Sequence, residues 1–285
     1  GNNGGYSLMG SPKMFPGNVV RLSATCGTLS SAAILRLFVV EEGTSERFYS
    51  ASIALQAETS FEINLDIPQL PAGLVRDFGI EISAEKRCRG EIFVDAVFIE
   101  GDFDVTFPDK FYQGNAWGGN VQFNGWVFDA DIGRGKFTDD DEPQTQFGKN
   151  EGRGELICGT TQWQDYCFEA RIKVHLATKA GLVVRYQGKQ RYIAITVEGN
   201  VLRLIQRFYE EKTLDEINLD SLSLTWEQDK LYPLKVACHG SNINVQLDGV
   251  DILQGQDDVL KRGGAGFMFE NGMMGARDVR CYAIS

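Results

Sequence analysis

Short runs in which apolar and polar residues alternate, each closed by Gly, Asn, Asp or Ser, recur along almost the whole chain. This pattern constrains the fold more than any other feature. A side-chain period of two fits a strand with one buried face and cannot build the apolar stripe of a helix. In the first half, AAILRLFVVEE from Ala32, FYSASIAL from Phe48, SFEINLDI from Ser60, FGIEISA from Phe78 and EIFVDAVFIEG from Glu91 read as strands. The second half continues with GELICGT from Gly154, DYCFEARIKVHL from Asp165, AGLVVRYQ from Ala180, RYIAITVE from Arg191 and NVLRLIQRFY from Asn200. LYPLKVACHG and NINVQLDG follow, joined across Gly240 and Ser241, and Asp248-Gly249 turns the chain again. TQWQ, around Trp163, reads as a hairpin connection, and helix candidates such as Tyr209 to Glu216 amount to a turn or two. The fold class that follows is all-β, with strands spaced as in β-sandwich, jelly-roll domains.

The chain, 285 residues long, has room for two domains of ordinary size. The stretch DVTFPDKFYQGNAWGGNVQFNG, rich in Gly, Asn and aromatics, separates the two groups of strands. It sets a first sandwich at residues 1–102, a linker at 103–118 and a second sandwich at 119–285.

Charge narrows the partners. A formal net charge of -11 opposes nucleic acid, which needs clustered Lys and Arg, and opposes an anionic membrane surface for the same reason. No run approaches the roughly 20 apolar residues that span a bilayer, so membrane insertion is not expected. Part of the acidity lies in one run, Asp139, Asp140, Asp141 and Glu142, which reads as a solvated loop. The six cysteines form no CxxC pair, and several sit inside apolar alternation, so buried free thiols are expected rather than a zinc site. Because the first residue is Gly1, the chain reads as a processed or truncated product; its location is not legible in the sequence, and removal of an address signal would suit a secreted, periplasmic or cell-surface place.

Catalytic signatures are weak. His175 and His239 are the two histidines, with no GxSxG elbow nearby, which starves a nucleophile–histidine or histidine-metal site. GGAGFMF lacks GxGxxG spacing and leads into a strand pattern, so no helix N-terminus waits to hold a pyrophosphate. No cofactor is called for.

Two resemblances carry the reading further. The first half, from GYSLMGSPKMFPGNVVRLSA to GEIFVDAVFIEG, resembles a galactose-binding-type sandwich of the kind found in carbohydrate-binding modules. The second half, through LYPLKVACHGSNINVQLDGVDILQGQDD, GGAGFMFENG and DVRCY, resembles a concanavalin A-like lectin or glucanase sandwich. Their order, with EGRGELICGTTQWQDYCFEARIKVHLATKAGLVVRYQGKQRYIAI after the junction, is similar to the C-terminal accessory region of bacterial ADP-ribosylglycohydrolase-family proteins. The resemblance implies an accessory role beside a separate all-α hydrolase domain, whose chemistry these residues do not contain. The galactose-binding-type resemblance of the first half implies a structural calcium there, at Asp95 and completed by carbonyl oxygens.

A concanavalin A-like sandwich admits two site chemistries. Glycoside hydrolysis needs two carboxyl groups about 5 to 9.5 Å apart, often from one ExDxxE-like strand. No such motif is present, and Glu169, Glu198 and Glu270 stand isolated on their strands. Binding needs an outward strand face of aromatic and polar groups instead. Alternation that buries Leu182 and Val184 turns Val183 and Arg185 outward; burying Ile193, Ile195 and Val197 turns out Tyr192, Ala194, Thr196 and Glu198. Burying Leu202 and Leu204 exposes Arg203, and burying Phe267 and Phe269 exposes Met268 and Glu270. Arg185, Tyr192, Arg203 and Glu270 are therefore the expected ligand-binding residues of one concave face, with room left by Ala194 and Gly266. Tyr192 would be a stacking platform, and Arg153 would reach the same face. Trp117, Trp126 and Trp226 read as core lids, and Trp163 as the exposed sugar platform. Gly272 to Gly275 reads as a loop before a last strand from Asp278 to Ala283. The expected function is a non-catalytic, carbohydrate-binding accessory segment. A glycoside hydrolase of the concanavalin A-like class and a purely structural docking module are the alternatives, the latter expecting an exposed apolar patch.

Overall fold

Every regular element of the described residues is a strand, as the alternation requires. The structure, a computed structural model, describes residues 2–9, 13–41, 45–70, 75–107, 121–123, 126–129, 145–210, 213–228 and 230–284. The acidic run and Trp117 lie outside them. The chain divides into two compact units, Gly1–Val105 and Thr106–Ser285.

The first unit contains β1 (Asn2–Met9), β2 (Val19–Leu29), β3 (Ile34–Glu41), β4 (Arg47–Tyr49), β5 (Ile53–Ala54), β6 (Thr59–Asp66), β7 (Val75–Ala84) and β8 (Gly90–Glu100). A five-stranded sheet, ordered β1-β7-β3-β4 with β5 also on β3, faces a three-stranded sheet ordered β6-β2-β8. Alternate residues of each sheet fill the space between them: Val20, Leu22 and Ala24 from β2, Leu35, Leu37 and Val39 from β3, and Ile63 and Leu65 from β6. Each such side chain contributes roughly 1.5–3 kcal/mol of hydrophobic stabilisation. This unit is a β-sandwich.

β9 (Asp104–Thr106) spans the division between the units. The second unit continues with β10 (Val121–Phe123), β11 (Trp126–Asp129), β12 (Thr145–Cys158), β13 (Tyr166–Val174), β14 (Lys179–Gly188), β15 (Arg191–Glu198) and β16 (Val201–Glu210). β17 (Thr213–Ser223), β18 (Tyr232–His239), β19 (Asn242–Leu247), β20 (Val250–Gln256) and β21 (Gly264–Ala283) complete it. The strand order is β17-β16-β15-β14-β21-β13-β18-β19-β20, with β12 beside β21 and β11 beside β12.

β21 explains how one ladder makes two layers. Its first part, to Glu270, pairs with β14, whereas its later part, from Met274, pairs with β13. The strand thus passes from one layer into the other around Asn271, whose φ is +46°, and Gly272. A Cβ on Gly272 would lie 1.3 Å from the Leu176 carbonyl oxygen, so only glycine fits this crossing. Core aromatics meet between the layers: Phe168 of β13 packs edge-on to Phe267 at 5.5 Å, and Phe147 of β12 lies 5.1 Å from Phe267.

Three sequence expectations change here. Gly272 to Gly275 is not a loop but the middle of a continuous β21, because β12 pairs with it throughout while β13 takes over from β14 on its other side. The TQWQ segment does not close a hairpin: β12 pairs with β11 and β21, while β13 pairs with β18 and β21. The described residues of Tyr209 to Glu216 are strand rather than helix, 209–210 at the end of β16 paired with 213–214 at the start of β17. All six cysteines are free thiols, five of them buried.

Candidate functional site

The register brings six strands of the second unit onto one face. Directly paired residues of antiparallel strands project on the same side, so the partners can be read across the sheet. Arg153 pairs with Glu270 and Glu270 with Lys179; Ile157 pairs with Gly266, Gly266 with Val183, Val183 with Ala194 and Ala194 with Ile205. Tyr192 pairs with Arg207 and Arg207 with Glu216. The middle of this face is apolar and closed to solvent. Ile157, Val183, Tyr192, Ala194, Ile205 and Met268 form one buried cluster, with Tyr186 packed against it.

A charged layer lies over that cluster. Arg153 donates through Nε to Glu270 Oε1 at 2.6 Å and through Nη2 to the same oxygen. Its Nη1 donates to the Tyr192 hydroxyl. Register places Arg153 beside the start of β14 and Tyr192 beside its end, so the two can meet only if the sheet is strongly coiled. Tyr186 stacks on Tyr192 with centroids 5.9 Å apart and donates to Glu155 Oε2 at 2.7 Å. Lys179 lies between Glu198 at 3.0 Å and Glu216 at 2.8 Å, and Arg207 reaches Glu216 at 3.4 Å.

The protonation states follow from these contacts. Burial pushes the Tyr192 phenol up, despite the opposing pull of Arg153 and Arg207, so it stays neutral. Burial also works against the charge of Glu216, but the Lys179 hydrogen bond and the charges of Lys179 and Arg207 hold its carboxyl below the usual range. Burial disfavours charge on Arg153 as well; Tyr192 and Glu270 outweigh it and keep the guanidinium charged.

Above this layer opens a cleft of ≈ 380 Å³, lined by Gly152, Arg153, Glu155, Lys189, Gln190, Arg207, Glu270 and Asn271. Its rim is fixed by a bulge in β12 between Lys149 and Arg153, and by Asn271, whose Oδ1 accepts from the Gly152 amide at 2.7 Å. The Glu270 carbonyl accepts from both the amide and the hydroxyl of Thr178, at 3.0 and 3.1 Å.

The sequence-derived ligand set divides on this geometry. Arg153 and Glu270 come together at the cleft. Tyr192 is on the expected face but has 0% exposure, roofed by Arg153, so it is a support and not a stacking platform. Arg203 is on the same face but away from the cleft, with Nε 3.9 Å from Glu198. Arg185 is not on the face at all. It takes φ +52° in a bulge of β14, which breaks the alternation and sends Tyr186 to the face in its place. The Arg185 guanidinium is fully buried and donates to the carbonyls of Leu260, at 3.0 Å, and Gly240. Trp163 is also displaced from its expected role: it is 7% exposed, edge-on to Tyr166 at 5.9 Å, and presents no platform. Trp226 is half-buried against Tyr232 at 4.0 Å. Gly266 does not leave ligand space either, since a Cβ there would lie 2.0 Å from the Leu156 carbonyl oxygen of the adjacent strand.

Glu155, Arg207, Lys189, Gln190 and Asn271 are cleft residues that the alternation argument left out. Two of them carried a signal. Glu155 is two residues from Arg153, and Arg207 follows Arg203 and Ile205 on the same period. Lys189 and Gln190 come from a turn, which has no face to extrapolate.

In the first unit, Asp95 of β8 is exposed and accepts from the Thr25 hydroxyl at 3.4 Å. Among the described residues no group of three or more His, Cys, Asp or Glu side chains is gathered for a metal. A calcium at Asp95 would draw most of its roughly six to eight oxygens from carbonyls and water. β8 also exposes Phe93, Val94, Val97 and Phe98.

No family model matches the chain, and no curated protein matches it in sequence. Solved structures are similar to part of the chain. A carbohydrate-binding module from Bacillus subtilis is 15% identical over 55% of this chain and 94% of its own, with a TM-score of 0.46. A Bacillus subtilis protein with a galectin-like fold is 13% identical over 56% and 90% of the two chains, with a TM-score of 0.39. A homodimeric agglutinin from chicken liver is 10% identical over 45% and 98%, with a TM-score of 0.36.

Proposed function

We propose that the second sandwich binds carbohydrate in the cleft above its coiled sheet, as a non-catalytic module accompanying a separate hydrolase domain of the ADP-ribosylglycohydrolase type. The observation that supports this is the open cleft of ≈ 380 Å³, lined by side chains that can both donate to and accept from hydroxyl groups. Arg153 and Glu270 are held in place by each other and by Tyr192, so the site is organised before ligand arrives. Glu155 and Glu270 both line the cleft, which raises the hydrolase reading again. Hydrolysis, however, needs both carboxyl groups free to reach the glycosidic bond, and Glu270 Oε1 and Glu155 Oε2 are already bonded to Arg153 and Tyr186. Phe93 and Phe98, exposed on one face of β8, offer the hydrolase domain an apolar surface to dock on.

The test is glycan-array screening followed by calorimetry, with Arg153→Ala and Glu270→Gln as the site variants. Binding weakened at least tenfold in both, about 1.4 kcal/mol, is the expected result. Absence of any glycan ligand, or unchanged affinity in both variants, refutes the reading. Turnover of a polysaccharide that disappears in Glu270→Gln makes the chain a hydrolase instead.

A further inference from the structure

Resting on that reading, we propose that the ligand is an uncharged sugar, presented by its hydroxyl groups and recognised without aromatic stacking. The first reason is what lines the cleft: among the described residues, none that lines it has an aromatic or aliphatic side chain. Both tyrosines of the site are already engaged. Tyr192 is fully buried, one face of Tyr186 is covered by Tyr192 at an interplanar angle of 15°, and its hydroxyl is committed to Glu155. Arg153 closes the hydroxyl edge of Tyr192 through its hydrogen bond, with the guanidinium carbon 5.9 Å from the ring centroid. A ligand that relies on a flat apolar ring face, or on an acetamido methyl group, therefore finds no partner surface.

The second reason is the mixture of charge. Arg153, Lys189 and Arg207 line the cleft together with Glu155 and Glu270. Among the described residues Arg153 engages only Oε1 of Glu270, which leaves Oε2 as an acceptor. Arg207 donates only to Glu216, at 3.4 Å. A hydroxyl donates and accepts at once, so adjacent hydroxyls can bridge a guanidinium and a carboxylate with every group satisfied. A ligand carboxylate can only accept: it could pair with Arg153, Lys189 or Arg207, but it would bring no donor to Glu155 and Glu270 and would be repelled by them at close range. The cleft volume lies near the low end of small-ligand sites, about 300–1,000 Å³, which suits one or two sugar rings.

The experiment is an NMR titration of the wild-type chain with matched sugars: methyl glucoside against glucuronate, methyl galactoside against galacturonate, and N-acetylglucosamine. The expected result is a neutral sugar that binds at least tenfold more tightly than its uronate, with shifts confined to the cleft residues, Arg153, Glu155, Lys189, Arg207 and Glu270 among them. Glu155→Gln should weaken the neutral sugar and narrow its preference over the uronate. Uronate binding equal to or tighter than the neutral sugar, or a preference for the acetamido sugar, overturns the inference while leaving carbohydrate binding intact. Failure of every sugar, neutral or charged, overturns both.

Discussion

Each unit carries a cluster of arginine, glutamate and tyrosine on a sheet face, and the two clusters behave differently. In the first unit Glu81 of β7 accepts from Arg36 Nε at 2.8 Å through Oε1, and from Arg47 at 3.3 Å and Tyr49 at 3.2 Å through Oε2. Arg36 lies 3.6 Å over the Tyr49 ring and Arg47 4.4 Å over Phe38. Both carboxylate oxygens are used, and the cluster closes on itself. In the second unit Arg153 takes one oxygen of Glu270, and the cluster sits under an open cleft. The difference lies in the backbone. Arg36 and Glu81 are direct cross-strand partners in an unbroken register, whereas Arg153 follows a bulge and Glu270 precedes the positive-φ Asn271. Residue types alone do not make a site; a break in the strands that keeps them from closing does.

The comparison breaks most severely at Gly272. Gly272→Ala puts a methyl group on the Leu176 carbonyl and strains the crossing of β21 between layers. A loss of about 3 kcal/mol, the upper end for overpacking, is expected in the denaturant midpoint of the second unit. Hydrogen exchange should rise in β12, β13 and β21 while β3 and β7 keep their protection. Wild-type protection in β21 would mean that the crossing is not tight and that the rim geometry has another origin.

The closed cluster is sharpened by pH. The Arg36 hydrogen bonds, against the cost of burial and with help from Tyr49 and Arg47, hold the Glu81 carboxyl below the usual glutamate range. A depressed folded-state value stabilises the protein fully above the unfolded value, near ~4.3, and that stabilisation is lost as pH falls through the folded value. With both arginines more than a third exposed, solvent screening limits the contribution to about 1 kcal/mol. Glu81→Gln should therefore lower stability at pH 7 and flatten its decline below pH ~4.3, as read by denaturant melts at several pH values. An unaltered acid limb in the variant would show that Glu81 is not the titrating group.

The alternation that defined the strands also located most of the site face, and its failures are local. Val183, Tyr192, Ala194, Met268 and Glu270 share a face because the chain between them keeps period two. Arg185 escaped because a single left-handed residue flips everything after it, and no feature of AGLVVRYQ announces that bulge. Burial was the harder quantity. Tyr192 and Trp163 have the composition of sugar platforms, but coiling brings Arg153 over one and the loop geometry packs the other against Tyr166. The cleft itself depends on Lys189 and Gln190, which enter from a turn, so it was legible only once the strands were in register.

Arg203 gives the finest distinction, since it shares the face of the cleft without lining it. Its Nε is 3.9 Å from Glu198, and its side chain is 43% exposed, so the pair is weak and screened. Glu198 has a better partner in Lys179 at 3.0 Å and accepts from the Thr196 hydroxyl at 3.2 Å, so it stays satisfied when Arg203 is removed. Arg203→Ala is expected to change stability by less than about 0.5 kcal/mol and to leave glycan affinity within twofold of wild type. Stability and calorimetric affinity measured on one preparation check both. A tenfold loss of affinity would extend the binding surface along β16 beyond the cleft, and would place Arg203 in contact with a second sugar unit.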